Sequence, residues 1–182
     1  MSNHNGTFTD SDVETKIWKW LDAVVIGENL CPFAKAPRQR KQIRLLVVEE
    51  VAVAQILTIL ANECSFLSSN PQTETSLVAM SNGLTNFYDY LDILDMAQQL
   101  LEELNYEGVF QLASFHPAYL FESEPADSVS HYTNRAPFPI FHLIREASIT
   151  KALAFVDDPD AIPARNIEHA HKLGVAFFKR YL

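Results

Sequence analysis

Two strand–helix–strand alternations in succession are the feature of this sequence that most restricts its fold. Short runs of β-branched and aromatic residues predict strands at residues 43–48, 75–80 and 109–115. Apolar residues at helical spacing predict helices between them, over residues 53–67 and 86–104. Parallel neighbours need crossovers of this length, so we expect an α/β fold: a small sheet with parallel strand pairs from successive βαβ crossovers, flanked by helices.

The two ends of the chain carry recognisable helix signals. Residues 11–14 (SDVE) have the form of a capping box and predict a first helix that ends near Gly27. Pro163 is well placed to open the last helix, since proline fits the first helical turn. We therefore expect a flexible N-terminal arm over residues 1–10 and a single α/β domain over residues 11–182.

Composition limits the classes of function. Hydrophobic residues make up 48% and charged residues 20% of the chain, as in globular proteins. No apolar run approaches the roughly 20 residues of a membrane helix, and the N-terminus lacks a secretory pattern. With only two cysteines, we expect a cytoplasmic protein without membrane partners. The net charge of −9 argues against nucleic-acid binding but permits a small anionic ligand held by local arginines.

The stretch from Gln111 to Glu146 is predicted to hold the functional site. Helical and strand periodicity are both lost over residues 116–139, where four prolines occur among polar and aromatic residues. We predict that a helix resumes near Pro137 or Pro139.

The first candidate group surrounds His116, at the C-terminal end of the third predicted strand. Ligands gather beyond the carboxyl ends of strands in open α/β sheets, which favours a catalytic role for His116. Ser114 and Tyr119 are predicted to help bind the substrate beside it. The alternative is a structural histidine that hydrogen-bonds a backbone carbonyl and stabilises a turn.

The second group is Thr133, Asn134 and Arg135, just before the predicted helix start. Backbone N–H groups at a helix N-terminus attract anions, and an arginine adds bidentate hydrogen bonds to a carboxylate or phosphate. We predict that all three bind substrate. Ordinary N-capping by Thr133 or Asn134 is the alternative, and the two roles are compatible.

The third group is His142, Arg145 and Glu146, whose spacing places them on one face of a helix. With His116, the pair His142 and Glu146 would form a two-histidine, one-carboxylate site for a divalent metal. The alternative is a surface His–Glu pair with Arg145 extended beside it.

The fourth candidate is Cys31, in a predicted loop over residues 29–37. A thiol there can face a pocket as a nucleophile or ligand, whereas Cys64 lies on an apolar helical face and is predicted to be core. Simple packing is the alternative for Cys31. Whether Arg38 and Arg40 cover the pocket or point into water is left open.

Four motifs together resemble the bacterial and plant family named Domain of Unknown Function 1415. They are NLCPFA at residues 29–34, ASFHPAY at 113–119, TNRAPFP at 133–139 and HLIREAS at 142–148. The resemblance implies a single domain, and the family pattern has serine where this chain has Ala136, which argues against a catalytic hydroxyl there. It gives weight to the candidate residues inside the motifs: Cys31, His116, Asn134, Arg135, His142, Arg145 and Glu146.

Two functions of different classes follow from these residues. The first is an enzyme acting on a small carboxylate or phosphate, with or without a divalent metal. In it Arg135 and Arg145 hold the anion, His116 or His142 transfers protons, and Glu146 orients His142 or binds the metal. The second is a module that binds a small molecule or a metal without turnover. A third, purely structural reading makes the polar residues fix an irregular loop.

Overall fold

The chain folds around a four-stranded mixed sheet. The computed structural model describes residues 9–49 and 52–182. The strands are β1 (Ile43–Val48), β2 (Thr75–Met80), β3 (Phe110–Phe115) and β4 (Ile140–Arg145), in the order β1-β2-β4-β3. The predicted α/β class is confirmed, and the first three strands lie where the sequence predicts them.

The helices flank the sheet. In chain order they are α1 (Asp10–Trp20), α2 (Lys35–Gln39), α3 (Val53–Ser69), α4 (Phe87–Glu103), α5 (Glu146–Leu153), α6 (Ile162–Leu173) and α7 (Val175–Phe178). A π-helical segment, Leu21–Ile26, continues α1, and 3-10 turns occur at Val129–Thr133 and Pro159–Ala161.

The first crossover places β2 next to β1, whereas the second places β3 two positions from β2. β1 and β2 form the parallel pair, connected through α3. The second crossover, through α4, returns β3 in the same direction but one position further away. β4 lies between β2 and β3 and is antiparallel to both.

Each face of the sheet has its own apolar core. On one face α3 and α4 pack against Val78, Phe141 and Leu143. On the other face α1, the 3-10 turn at Val129–Thr133 and α6 pack with Leu77 and other residues of the sheet. The sheet therefore lies between two layers of helices, which leaves strand ends and strand edges as the places where polar groups gather.

The prediction of a helix from Pro137 or Pro139 is wrong, because residues 140–145 form β4. β4 is a central strand, covered on both faces, and Phe141 and Leu143 are fully buried. A continuous apolar run of this kind resembles a buried helix as much as a buried strand, so periodicity alone does not separate the two.

The predicted capping box is displaced. α1 begins at Asp10, and Thr9 forms the box with Asp12 rather than Ser11 with Glu14. The predicted arm therefore lies outside the described residues except for Thr9 and Asp10. At the far end of the π-helical segment Gly27 is needed, since an added Cβ atom would lie 2.5 Å from the Ala23 carbonyl oxygen.

The C-terminal helices follow the sequence closely. Pro163 lies in the first turn of α6, as predicted. Gly174 separates α6 from α7 with a φ of 73°, a conformation that glycine adopts without strain. None of the helices in the described ranges has both the length and the apolar character to cross a bilayer.

Candidate functional site

His116 anchors the chain as it leaves β3. Its side chain is buried, and the Ala118 N–H donates to Nδ1 over 3.0 Å. Nδ1 is therefore unprotonated, so Nε2 carries the hydrogen and donates to the Leu84 carbonyl over 2.8 Å. Burial lowers the pKa of His116, which favours this neutral form.

A second histidine holds the same loop in the same way. The Phe121 N–H donates 3.0 Å to Nδ1 of His131, and Nε2 donates 2.7 Å to the Pro125 carbonyl. His131 is fully buried. No sequence motif predicts a role for His131. The one sequence feature that indicates its structural role is its position in a proline-rich stretch, where backbone groups need side-chain partners.

Thr133 and Asn134 end a helical turn rather than begin a helix. The prediction of N-capping at this point is wrong, because Asn134 is the C-terminal cap of the 3-10 turn and the next regular element is β4. Asn134 instead joins the loop to β3. Its carbonyl accepts from the His116 N–H at 3.2 Å, and its Nδ2 donates to the Ser114 carbonyl at 3.3 Å. Thr133 donates to the Ser130 carbonyl.

Arg135 is fixed at one edge of its guanidinium and free at the other. Its Nε donates to the Tyr119 carbonyl over 3.2 Å, and the group lies 4.4 Å from the centre of the Tyr132 ring. Trp20 donates its indole N–H to the Arg135 carbonyl, which holds the backbone as well. Within residues 9–49 and 52–182, neither Nη atom of this partly buried side chain makes a hydrogen bond.

The structure therefore brings together six of the predicted residues: Ser114, His116, Tyr119, Thr133, Asn134 and Arg135. We call this group the strand-end network. Tyr119 belongs to it through its backbone, and its ring packs 5.0 Å from that of Phe87. The arrangement presents one cationic edge to solvent above a hydrogen-bonded loop.

His142, Arg145 and Glu146 do not share a face. They lie on β4 and on the first turn of α5, and side chains alternate along a strand, so His142 and Arg145 point to opposite sides of the sheet. The prediction of a common helical face is wrong. The reason is the change of period, since residues three apart meet on a helix but not on a strand.

His142 is held by Thr75 in the neighbouring strand. The Thr75 hydroxyl donates 2.6 Å to the Leu143 carbonyl, so it accepts, also at 2.6 Å, from Nε2 of His142. Nδ1 is then an unprotonated, buried atom, and it has no hydrogen-bond partner among the described residues. Burial lowers the pKa of His142 to about 4, although part of the residue remains exposed at the surface.

Arg145 uses its guanidinium to close the end of α3. Nε donates to the Thr73 carbonyl at 3.0 Å, and Nη2 donates to the carbonyls of Leu67 and Asn70. The Leu67 and Asn70 carbonyls lie at the C-terminal end of α3 and also accept from the N–H groups of Asn70 and Thr73, so Arg145 adds a charged donor to them. Glu146 begins α5, and its N–H donates to the Val109 carbonyl.

The three residues predicted to bind a metal are not gathered by the fold. In the part of the chain that the structure describes, no three His, Cys, Asp or Glu side chains are arranged to hold a metal ion. A metal site at His116, His142 and Glu146 stays a prediction, but the shared helical face that motivated it is absent.

Cys31 packs against the core that contains α1 and α6. Burial raises the pKa of its thiol, more than the N–H groups of Phe33 and Ala34 lower it. Both cysteines are free, and Cys64 is fully buried as predicted. Arg38 pairs with Asp22 at 2.8 Å, and Arg40 is exposed.

The structure also contains a cleft of about 250 Å³ that no sequence pattern predicted. It lies between α6 and the chain that follows the π-helical segment. Its groups are largely paired with each other, for example His169 with Glu28 at 2.8 Å and Lys172 with Glu168 at 2.6 Å. We therefore do not assign it a ligand.

The fold and the strand-end network define an α/β protein with a mixed four-stranded sheet and a cationic edge beyond one strand end. The chain belongs to the family described as Protein of unknown function (DUF1415), whose model matches residues 12–180. This confirms the resemblance carried by the four sequence motifs. No curated protein and no solved structure matches the chain.

Proposed function

We propose that this protein binds a small carboxylate or phosphate at Arg135. The observation that carries the proposal is the pair of Nη atoms that have no hydrogen bond within the described ranges, on a guanidinium already fixed through Nε and Tyr132. Two N–H groups in one plane match the two oxygens of a carboxylate or phosphate.

The surroundings of Arg135 favour binding because they reduce its entropic cost. A free arginine side chain loses about 2 kcal/mol of rotamer entropy when it is immobilised. Here the Tyr119 carbonyl and the Tyr132 ring already restrict the side chain, and Trp20 holds the backbone. In a chain of net charge −9, such a cation attracts an anion only at short range, which fits a small ligand.

Binding without turnover is better supported than catalysis at this site. An enzyme would need a proton carrier beside the bound anion, and His116 is the predicted one. Both ring nitrogens of His116 are engaged, with Ala118 and Leu84, so proton transfer would first require breaking the turn. Catalytic roles for His116, His142, Glu146 and Cys31 remain the alternative.

Calorimetric titration with inorganic phosphate and with succinate tests the proposal. We expect binding to the wild type that weakens about tenfold or more in Arg135→Lys, which keeps the charge but loses the planar pair of donors. Arg40→Lys is the matched control at an exposed arginine and should bind like the wild type. Equal binding by all three proteins would refute the proposal.

A substrate assay separates the two classes. Ligands that bind are incubated with the protein and then analysed by mass spectrometry, and we expect them to be recovered unchanged. A product that forms with the wild type but not with His116→Gln would favour the enzyme instead.

The cytoplasmic location predicted from the sequence belongs to the same proposal and is supported by the two free thiols.

A further inference from the structure

The outer edge of β3 carries hydrogen-bonding groups that its own sheet does not use. β3 is the last strand in the order β1-β2-β4-β3, and over residues 9–49 and 52–182 it pairs only with β4. The bond from the Glu146 N–H to the Val109 carbonyl fixes which residues face β4. Because direction alternates along a strand, the peptide groups of Phe110, Leu112 and Ser114 point away from the sheet.

Only two of these outward groups have partners within the described residues. The Phe110 N–H donates to the Tyr106 carbonyl at 3.0 Å, and the Ser114 carbonyl accepts from Nδ2 of Asn134 at 3.3 Å. The Phe110 carbonyl, the Ser114 N–H and both groups of Leu112 remain. The free edge is therefore a short segment centred on Leu112 and bounded by Tyr106 and Asn134.

We infer that this edge pairs with the same edge of a second copy of the chain, antiparallel, about a two-fold axis at Leu112. The remaining groups are self-complementary under that rotation. The Leu112 N–H of each copy faces the Leu112 carbonyl of the other, and each Ser114 N–H faces the opposite Phe110 carbonyl. The groups that this arrangement leaves unused, the Phe110 N–H and the Ser114 carbonyl, are the two already bonded within the chain.

The sequence of the edge agrees with pairing. Sheet edges that stay unpaired are commonly protected by lysine, proline or an inward charge, and residues 109–115 (VFQLASF) contain none of these. Val109 and Leu104, at the entry to β3, are 43% and 41% exposed and supply apolar surface beside the edge. This inference is independent of the proposed function at Arg135.

The dimer is expected to be weak and salt-dependent. A short two-strand contact buries less than the roughly 1,200 Å² of a stable interface, so association should be reversible. Each copy carries a net charge of −9, and the repulsion between copies is screened by salt. The dimer fraction should therefore rise with sodium chloride concentration.

Sedimentation velocity over a concentration series tests the inference. Leu112→Pro removes the outward N–H but no bond to β4, because this N–H points away from β4. Proline is tolerated at such a position of a sheet edge. Leu112→Ala loses the same side chain and keeps the N–H, so it is the matched control. We expect the dimer dissociation constant of Leu112→Pro to exceed that of Leu112→Ala about tenfold or more.

A cross-link gives a second readout that does not depend on the proline variant folding. Leu112→Cys places the two thiols opposite each other at the axis and should form a disulfide-linked dimer under mild oxidation, well above the wild-type background from Cys31. Gln111→Cys, one residue away, should cross-link less. A wild type that is monomeric at every concentration and salt level, or equal cross-linking at both positions, would overturn the inference.

Discussion

Arg135 and Arg145 lie in the two motif-rich segments that the sequence placed in one site, and the structure gives them opposite situations. Arg145 directs its guanidinium to three backbone carbonyls at the end of α3. Arg135 donates to one carbonyl through Nε, and its Nη atoms make no hydrogen bond within the described ranges. An arginine without partners at its outer edge is available to a ligand, whereas one whose donors are used holds the fold together.

The two histidines differ in the same sense. Both nitrogens of His116 are hydrogen-bonded, while His142 bonds only through Nε2 in the part of the chain that the structure describes. Residue type therefore does not tell which of these side chains have all their hydrogen-bonding groups engaged. The hydrogen-bond partners of each side chain do, and the following predictions test that distinction.

Arg145→Ala should have the largest effect on stability. It leaves the carbonyls of Leu67, Asn70 and Thr73 without their charged donor, and we expect a loss of about 3 kcal/mol in the free energy of unfolding. Arg135→Ala should cost less, about 1 kcal/mol, because it removes one hydrogen bond and the contact with the Tyr132 ring. Urea denaturation of both variants measures the difference, and equal losses would erase the distinction between the two arginines.

His142→Gln should change the response to acid. The folded pKa of His142, about 4, lies below its ordinary 6.5, so the unfolded chain takes up the proton first. The contribution of His142 to the free energy of unfolding is therefore complete above pH 6.5. It is lost as the pH falls towards 4, by roughly 3 kcal/mol. Unfolding free energies measured across that range should decline less steeply in the variant than in the wild type.

His116→Asn should give a smaller loss. Asparagine can still accept from the Ala118 N–H but is too short to reach the Leu84 carbonyl, which would be left unpaired at a cost of about 1–2 kcal/mol. His116→Gln, which is longer, should recover part of this loss. Hydrogen exchange of the Ala118 amide should accelerate in step with the destabilisation; an unchanged rate would show that the turn does not depend on the imidazole.

Cys31 should show the smallest effects. Burial raises the pKa of its thiol above the ordinary value, so alkylation near neutral pH should be slow and should accelerate as the pH rises past 9. Cys31→Ser should alter stability by less than about 1 kcal/mol. Rapid labelling at neutral pH would contradict this and restore Cys31 as a reactive nucleophile.

The sequence predicted the elements whose pattern is local. β1, β2 and β3 with α3 and α4 follow from apolar periodicity, and the position of His116 at a strand end follows from Pro117. β4 was missed because a strand inserted between two others is apolar on both faces, and only tertiary pairing distinguishes it from a buried helix. That one error is the reason His142 and Arg145 were predicted to share a face.

The sequence predicted which residues come together in the candidate site, but not which of their hydrogen-bond donors stay free. Ser114, Asn134 and Arg135 were identified from residue type and position, and the structure does bring them together. Which donors remain free depends on carbonyls far away in sequence, such as the Leu67 carbonyl that faces Arg145. Partners at such separations leave no local pattern.

Protection of the fold by phosphate tests the central claim most directly. A ligand that binds only the folded state raises the unfolding free energy, by an amount that grows with the logarithm of its concentration relative to its dissociation constant. The wild type and Arg40→Lys should therefore gain stability as phosphate is added at constant ionic strength, and Arg135→Lys should gain much less. Equal gains in all three proteins would mean that the free edge of Arg135 is not the anion site.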